Sequence, residues 1–170
     1  MAAPSEAGAI REVHLAAFDE AENEMVAELA VALLAEEDPP SLNLVAEIGG
    51  ELAGHVCFSP ITRQGGQEHL GHLLAPLGVG PQYQKQGIGS ALVKEGLERL
   101  RPRGGVVIVY GDPAYYGRFG FTRELAELLL PPHPLSLPIG WQALLFREED
   151  RPTSRVPIEC VPALRAPALW

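Results

Sequence analysis

The stretch that most limits what this chain can fold into is Leu73 to Leu92, LLAPLGVGPQYQKQGIGSAL. It opens as an apolar run through Val79, short enough for a buried strand. Gly80-Pro81 marks a turn. From about Gly87 the residues follow helical spacing: Ile88, Leu92, Gly96, Leu97 and Leu100 share one face, and Lys94, Glu95, Glu98 and Arg99 take the other. Pro102 ends the run. A strand, a glycine loop and a helix start together make an anion site, because the first N–H groups of a helix lack intrahelical partners and sit at the positive end of its dipole. Gly87 and Gly89 would let a phosphate approach the backbone closely. The same glycines equally suit tight helix–strand packing, and local pattern alone does not separate the two.

Two common phosphate loops are excluded. A P-loop needs Gly, four residues, then Gly-Lys and Ser or Thr, and no such run occurs. The dinucleotide fingerprint needs a third glycine, but Gly87-Ile88-Gly89 continues to Leu92 and Gly78-Val79-Gly80 continues to Tyr83. A nucleotide-binding oxidoreductase is disfavoured accordingly.

Composition narrows the class further. At 170 residues and 46% apolar, the chain suits one folded domain. No apolar run approaches the roughly 20 residues that cross a bilayer. Met1 to Glu6 lacks the basic start and apolar core of a signal peptide, so a cytoplasmic protein is expected. The net charge of −9 argues against binding nucleic acid or anionic membrane and is compatible with a cationic substrate such as an amine. Cys57 and Cys160 form neither a disulfide framework nor a C-x-x-C zinc site, and no metal is expected. Cys57 lies in an apolar run and reads as a small core residue.

Ile10 to Leu34 reads as helix, with the acidic segment Asp19 to Glu24 as a break. Ile10, Val13, Ala17 and Phe18 form one apolar stripe; Met25, Val26, Leu29, Leu33 and Leu34 form another. Asp38-Pro39-Pro40-Ser41 is a stop. Leu42 to Ile48 and Glu51 to Ser59 read as strands joined by a Gly49-Gly50 hairpin turn. Glu68 to Val79 is a longer strand. With the following helix and the apolar strand Val106 to Tyr110 it makes a βαβ unit, so these two strands should be parallel. Asp112 is an N-cap for a short helix opening at Pro113, and Gly120 a C-terminal cap. Trp141 to Phe146 and Arg155 to Val161 read as further strands.

Gln84-Lys85-Gln86-Gly87-Ile88-Gly89 resembles the pyrophosphate loop of the GNAT N-acetyltransferase family: Gln or Arg, two residues, Gly, one residue, then Gly or Ala. The preceding Pro76-Leu77-Gly78-Val79 and Pro81 are similar as well. A second motif, Tyr116 followed by Gly120-Phe121, resembles the tyrosine that precedes a Gly-Phe pair in that family. The segment Asp112 to Phe121, with Leu44-Val45-Ala46, Gly54-His55-Val56 and Phe58-Ser59-Pro60, looks closest to the YhbS-like branch of predicted N-acetyltransferases. The resemblance runs from about His14 to Phe121. It implies an α/β (α+β) fold with a mixed central sheet flanked by helices, as one domain over the whole chain with a divergent Pro-rich segment from about Thr122.

The function implied is transfer of an acetyl group from acetyl-CoA to a primary amine of a small molecule or peptide, by direct attack on the thioester. A non-catalytic acyl-CoA-binding sensor or partner module is the alternative. On this reading the diphosphate sits on Gln84, Lys85, Gln86, Gly87, Ile88, Gly89 and Ser90. The pantetheine arm runs along Leu77, Gly78 and Val79, where Gly78 would allow a bulge. A backbone N–H there would stabilise the thioester oxyanion. Tyr116 is the general acid for the departing thiolate, since a phenol near pKa 10 stays protonated at neutral pH while a thiol near about 8.5 accepts its proton. Packing on the sheet is the competing reading of that tyrosine.

His72, on the cofactor strand, is the base candidate, set against its reading as a solvated strand histidine. Glu47, His55 and Glu68 are further candidates; His14 and His133 read as surface or packing residues. The acceptor pocket would come from Phe18 to Leu34 and Leu125 to Gly140. Two departures from the family stand out. Only Met1 to Ala9 precedes the first helix, where the family has a strand, so a sheet edge is left open and a homodimer is expected. No Asn follows Asn43, whereas many relatives carry one shortly before the tyrosine helix.

Overall fold

The computed structural model describes residues 1–37 and 40–170, so the Asp38–Pro39 part of the expected stop lies outside the described residues. The chain forms two compact units, Met1–Phe58 with Ala75–Arg99, and Ser59–Leu74 with Leu100–Trp170.

In the first unit the acidic break falls where expected. Helix α1 is Ala7–Ala17 and α2 is Asn23–Leu34. The α1 face is built from Ile10, Val13 and His14, all buried, so of its two readings His14 takes the packing one. The α2 face differs from the expected stripe: Ala27, Ala30 and Leu33 are buried, while Met25 is 38% exposed. The small alanines permit the close α1–α2 approach and displace the larger residues to its flanks.

Strand β1 (Leu42–Ile48) pairs antiparallel with the start of β2 (Glu51–Arg63), with Val45 opposite His55. The turn between them uses Gly49 and Gly50, both at positive φ (62° and 85°), as a two-residue hairpin turn requires. Ala2 N donates to Asn43 O at 2.9 Å, so the N-terminal residues cover one rung beside β1. Helix α3 (Ile88–Leu100) packs its Leu92, Val93, Gly96 and Leu97 face inward. Gly96 is required there: a Cβ would lie 2.1 Å from the Phe58 ring.

In the second unit the strands run in the order β5-β7-β2-β3-β4-β6, where β3 is His69–Val79, β4 Val106–Tyr110, β5 Leu129–Leu130, β6 Trp141–Leu145 and β7 Val156–Cys160. The β3–β4 pair is parallel, Gly71 opposite Val106, as the βαβ reading requires. β4–β6 and β2–β7 are antiparallel and β5–β7 is parallel, giving a mixed sheet. Ile108, Leu73, Ile158 and Leu129 form its core. Helix α4 (Pro113–Tyr116) is capped by Asp112, whose Oδ1 accepts from Ala114 N at 2.9 Å. Gly120 closes the following turn in a left-handed conformation, φ 93°. A short helix α5 (Arg123–Ala126) and the two-residue β5 have no counterpart in the sequence reading, being too short to show a period. β2 and β3 each run from one unit into the other along the chain.

Candidate active site

The first unit brings together all the predicted cofactor residues. Leu77 and Val79, half-buried, and Gly78, buried, end β3. Gly80 N then donates to Ala53 O at 2.9 Å, and Tyr83 N to Gly80 O at 2.8 Å, which turns the chain sharply. Two glutamines brace the exposed loop: Gln84 Nε2 donates to Val79 O at 3.1 Å and Gln86 Nε2 to Gln82 O at 2.9 Å. Tyr83 Oη donates to a Glu51 carboxylate at 2.9 Å.

Within the loop Lys85 and Gly87 both take positive φ, 60° and 84°. Successive backbone N–H groups in such conformations form an anion-binding concavity. Ile88 and Gly89, in the first turn of α3, add N–H groups with no intrahelical acceptor. A Cβ built on Gly87 meets nothing within 4 Å, so the space over the loop is open. That open space, the helix start and the Lys85 cation fit a diphosphate. At Gly87 the demand for glycine comes from its positive φ and not from close packing.

Behind the strand lies a buried polar chain. His14 Nε2 is 2.9 Å from His55 Nδ1, and His55 Nε2 is 3.1 Å from Asn43 Oδ1. Both histidines are fully buried and Asn43 is nearly so. Burial lowers the His14 pKa to about 4; burial, then the neighbouring His14, lowers His55 to about 3. His14 Nδ1 has no partner among the described residues. It faces Gly78, where a Cβ would come within 2.6 Å of it. Sequence reasoning ranked His55 only as an unplaced base candidate and missed Asn43. The signal available was the alternation of the hairpin strands, which puts polar Asn43 and His55 where an apolar face is expected.

The second unit holds Tyr116 and His72. Tyr116 ends α4 half-buried, its ring 5.0 Å from Tyr115 and 5.9 Å from Phe121. Gly111 makes room for it, since a Cβ there would lie 2.5 Å from Tyr116 Cε2. Burial, then Tyr115 and Asp112, pushes the phenol well above its ordinary range, so it is protonated at neutral pH. His72 is 2% exposed, which corrects its reading as a solvated strand residue. Its strand is flanked on both sides in the sheet, and His69 lies against it at 5.1 Å. Burial, with smaller contributions from His69 and Arg103, lowers its pKa to about 3.

Glu47 is exposed, Glu68 is tied to Arg63 at 2.6 Å, and His133 is half-buried with its Nε2 3.0 Å from Arg165 O. Cys57 is core, as expected, its thiol pushed up to about 12 by burial. Among the described residues no group of His, Cys, Asp and Glu could hold a metal ion, and no helix is long and apolar enough to cross a membrane. A cavity of about 550 Å³ along β6, lined by Arg101, Thr122 and Arg147 among others, contains none of the predicted site residues.

Comparison with known proteins agrees with this geometry. The acetyltransferase (GNAT) family model matches residues 8–121. The uncharacterized N-acetyltransferase YjhQ of Escherichia coli K12 is 41% identical over 135 residues, 77% of this chain and 73% of that protein. The crystal structure of E. coli YhbS in complex with CoA aligns with a TM-score of 0.82 at 30% identity, covering 97% of this chain and 89% of that one. A GNAT family acetyltransferase from Brucella melitensis in complex with acetyl-CoA aligns at 0.70 and 35% identity, covering 91% and 90%. The chain is therefore an acyltransferase of mixed α/β fold that belongs to the GNAT acetyltransferase family.

Proposed function

We propose that the protein moves an acetyl group from acetyl-CoA to a primary amine of a small molecule or peptide by direct attack on the thioester. The observation that carries this reading is the exposed loop after β3, open at Gly87 and continuous with the N–H groups that start α3. Residues 84–90 hold the diphosphate through backbone N–H groups, with Lys85 adding charge. Residues 77–79 offer strand-type hydrogen bonds to the amides of the pantetheine arm, and an N–H there faces the thioester oxygen.

In the reaction the neutral amine nitrogen bonds to the thioester carbonyl carbon, the carbon–sulfur bond breaks, and the nitrogen gives up one proton to solvent. Tyr116 gives its proton to the sulfur and regains one from solvent. The raised pKa of the phenol supports the role in one respect, since the proton is always present. The same desolvation makes the phenol a weaker acid, so the transfer is favourable only to the extent that the thiolate is shielded from water as well. His72 remains a base candidate only as the neutral imidazole that burial imposes. The net charge of −9 favours cationic acceptors.

The test is a panel of primary amines with acetyl-CoA, read by mass spectrometry for acetylated product and by release of free thiol. Thermal stabilisation by acetyl-CoA with stoichiometric thiol release and N-acetylated product supports the reading. Stabilisation without product from any amine, or stabilisation by nicotinamide dinucleotides alone, overturns it.

A further inference from the structure

The buried chain Asn43–His55–His14 fixes its own proton positions. Asn43 Nδ2 lies 3.4 Å from Ser41 O and 3.5 Å from Leu33 O, two groups that only accept. Its Oδ1 is therefore the atom turned to His55. An amide oxygen cannot donate, so His55 Nε2 carries the proton and His55 Nδ1 is bare. His14 Nε2 must then be the donor across the 2.9 Å contact, because a bare nitrogen needs one. What remains is His14 Nδ1, a bare acceptor with nothing among the described residues to accept from. Unpaired buried acceptors are uncommon and call for an occupant.

This acceptor is not on a random face of the core. It abuts Gly78, at the middle of the strand end assigned to the pantetheine arm, and the absence of a side chain at Gly78 is what lets the imidazole sit directly against that strand. Nor is the chain built to store a proton. A proton taken at His14 Nδ1 would be handed from His14 Nε2 to His55 and would stop at the Asn43 amide oxygen, which does not ionise.

We propose that His14 Nδ1 accepts a hydrogen bond from an N–H group of the ligand that lies along residues 77–79, with His55 and Asn43 as the positioning residues that keep it an acceptor. This rests on the acetyl-CoA reading above. The ring of Phe18, half-buried just past the end of α1, stacks on the face of His14 at 5.9 Å and leaves the in-plane Nδ1 lone pair directed toward Gly78. Two N–H groups of suitable chemistry enter such a reaction: an amide of the pantetheine arm and the acceptor amine itself.

Nitrogen NMR of the full chain labelled with ¹⁵N-histidine reads this directly. A bare ring nitrogen and one that accepts a hydrogen bond differ in chemical shift without any change of protonation. The His14 Nδ1 signal, assigned by its loss in His14→Gln, should move on binding. Movement with CoA alone assigns the partner to the pantetheine arm; movement only after an amine acceptor is added assigns it to the amine. Two variants separate ligand binding from packing. His14→Gln places an amide N–H where Nε2 was, and so keeps the donor to His55 while removing the acceptor beside Gly78. It should weaken the assigned ligand by roughly 3- to 10-fold with little change in melting temperature. His14→Asn places an oxygen where Nδ1 was, and should keep ligand affinity while losing stability.

A His14 signal unmoved at saturation by both CoA and the amine overturns the proposal and leaves the acetyl-CoA reading standing. Failure of the wild-type protein to bind CoA at all overturns both. If neither variant folds, the His14 Nδ1 signal is assigned in the wild-type protein through its couplings to the ring protons of the sequentially assigned His14, so the wild-type measurement still decides the matter.

Discussion

Adding one methyl group at Gly78 should be among the most damaging small substitutions in the chain. In Gly78→Ala the new Cβ would stand 2.6 Å from His14 Nδ1 and 2.8 Å from His14 Cε1. Carbon contacts settle near about 3.5–4.0 Å, so the imidazole must retreat by about 1 Å. It has nowhere to go: the ring is fully buried and tethered on its far side to His55 at 2.9 Å. Overpacking of this kind costs about 1–3 kcal/mol. Breaking the tether adds about 0.5–1.5 kcal/mol net, and more if a buried nitrogen is stranded. The sum is roughly 2–5 kcal/mol, or a melting temperature lowered by roughly 4–20 °C for a chain of this size.

Calorimetry on Gly78→Ala, His14→Ala and the double variant checks the cause as well as the size. If the ring is what the methyl strikes, the double variant should recover at least about 1 kcal/mol relative to the sum of the singles. Gly8→Ala is the control, because a Cβ in that part of α1 meets nothing within 4 Å. It should stabilise by about 0.5–1 kcal/mol through the better helix propensity of alanine. A Gly78→Ala protein as stable as wild type, or a double variant additive within about 0.5 kcal/mol, would refute the packing argument.

Gly87→Val should fold but lose the stabilisation by CoA, which at about 100 times the dissociation constant is about 2.7 kcal/mol in the parent; undiminished stabilisation in a folded variant would move the diphosphate away from this loop. Tyr116→Phe should lower turnover by roughly 10² to 10⁴ with CoA affinity little changed, while Tyr115→Phe, which keeps the ring that Arg118 covers at 4.6 Å, should be mild. Equal losses at the two positions, measured as kcat on one acceptor, would mean the acid is elsewhere. For pH, the depressed values of His14, His55 and His72 (about 4, about 3 and about 3) mean that the unfolded chain, with histidines near about 6.5, binds more protons than the native one below that value. Stability should be flat above about pH 6.5 and fall on acidification toward pH 4, with denaturant midpoints as the check; a midpoint constant down to about pH 5 contradicts the burial argument. The β1 edge, covered at one rung by Ala2, should also support a homodimer, and light scattering showing a monomer at micromolar concentration counts against it.

What the sequence made legible was local. The loop from Val79 to Gly89 could be read because turn, glycine spacing and helix face fall within twenty residues of one another, and the βαβ pairing follows from them. The break between α1 and α2 was visible as an acidic interruption of an apolar period. His14 was read as a surface or packing residue, and its place in a buried polar chain was missed for the opposite reason. Its partner His55 is 41 residues away, and their meeting depends on the exact register of the β1–β2 hairpin and on which face α1 presents to it. His72 misled in the same way: alternation marks a strand residue as inward or outward but does not say whether the outward side is covered. The α2 face shows the third kind of miss, where side-chain size ranked Met25 and Leu29 above the alanines that helix–helix contact selects.

The passage of β2 and β3 through both units also governs the order in which the molecule can be made. No single cut separates the units, since each consists of two stretches of chain. On a ribosome delivering about 5–20 residues per second, Met1–Phe58 emerges early with both α helices and the hairpin, yet α3 has not been synthesised. Residues 59–74 come next and belong elsewhere, so the first unit waits for Arg99 before its apolar face can close. A nascent chain stalled between Phe58 and Arg99 would show Phe58 to solvent and to chaperones, whereas one released after Arg99 would not.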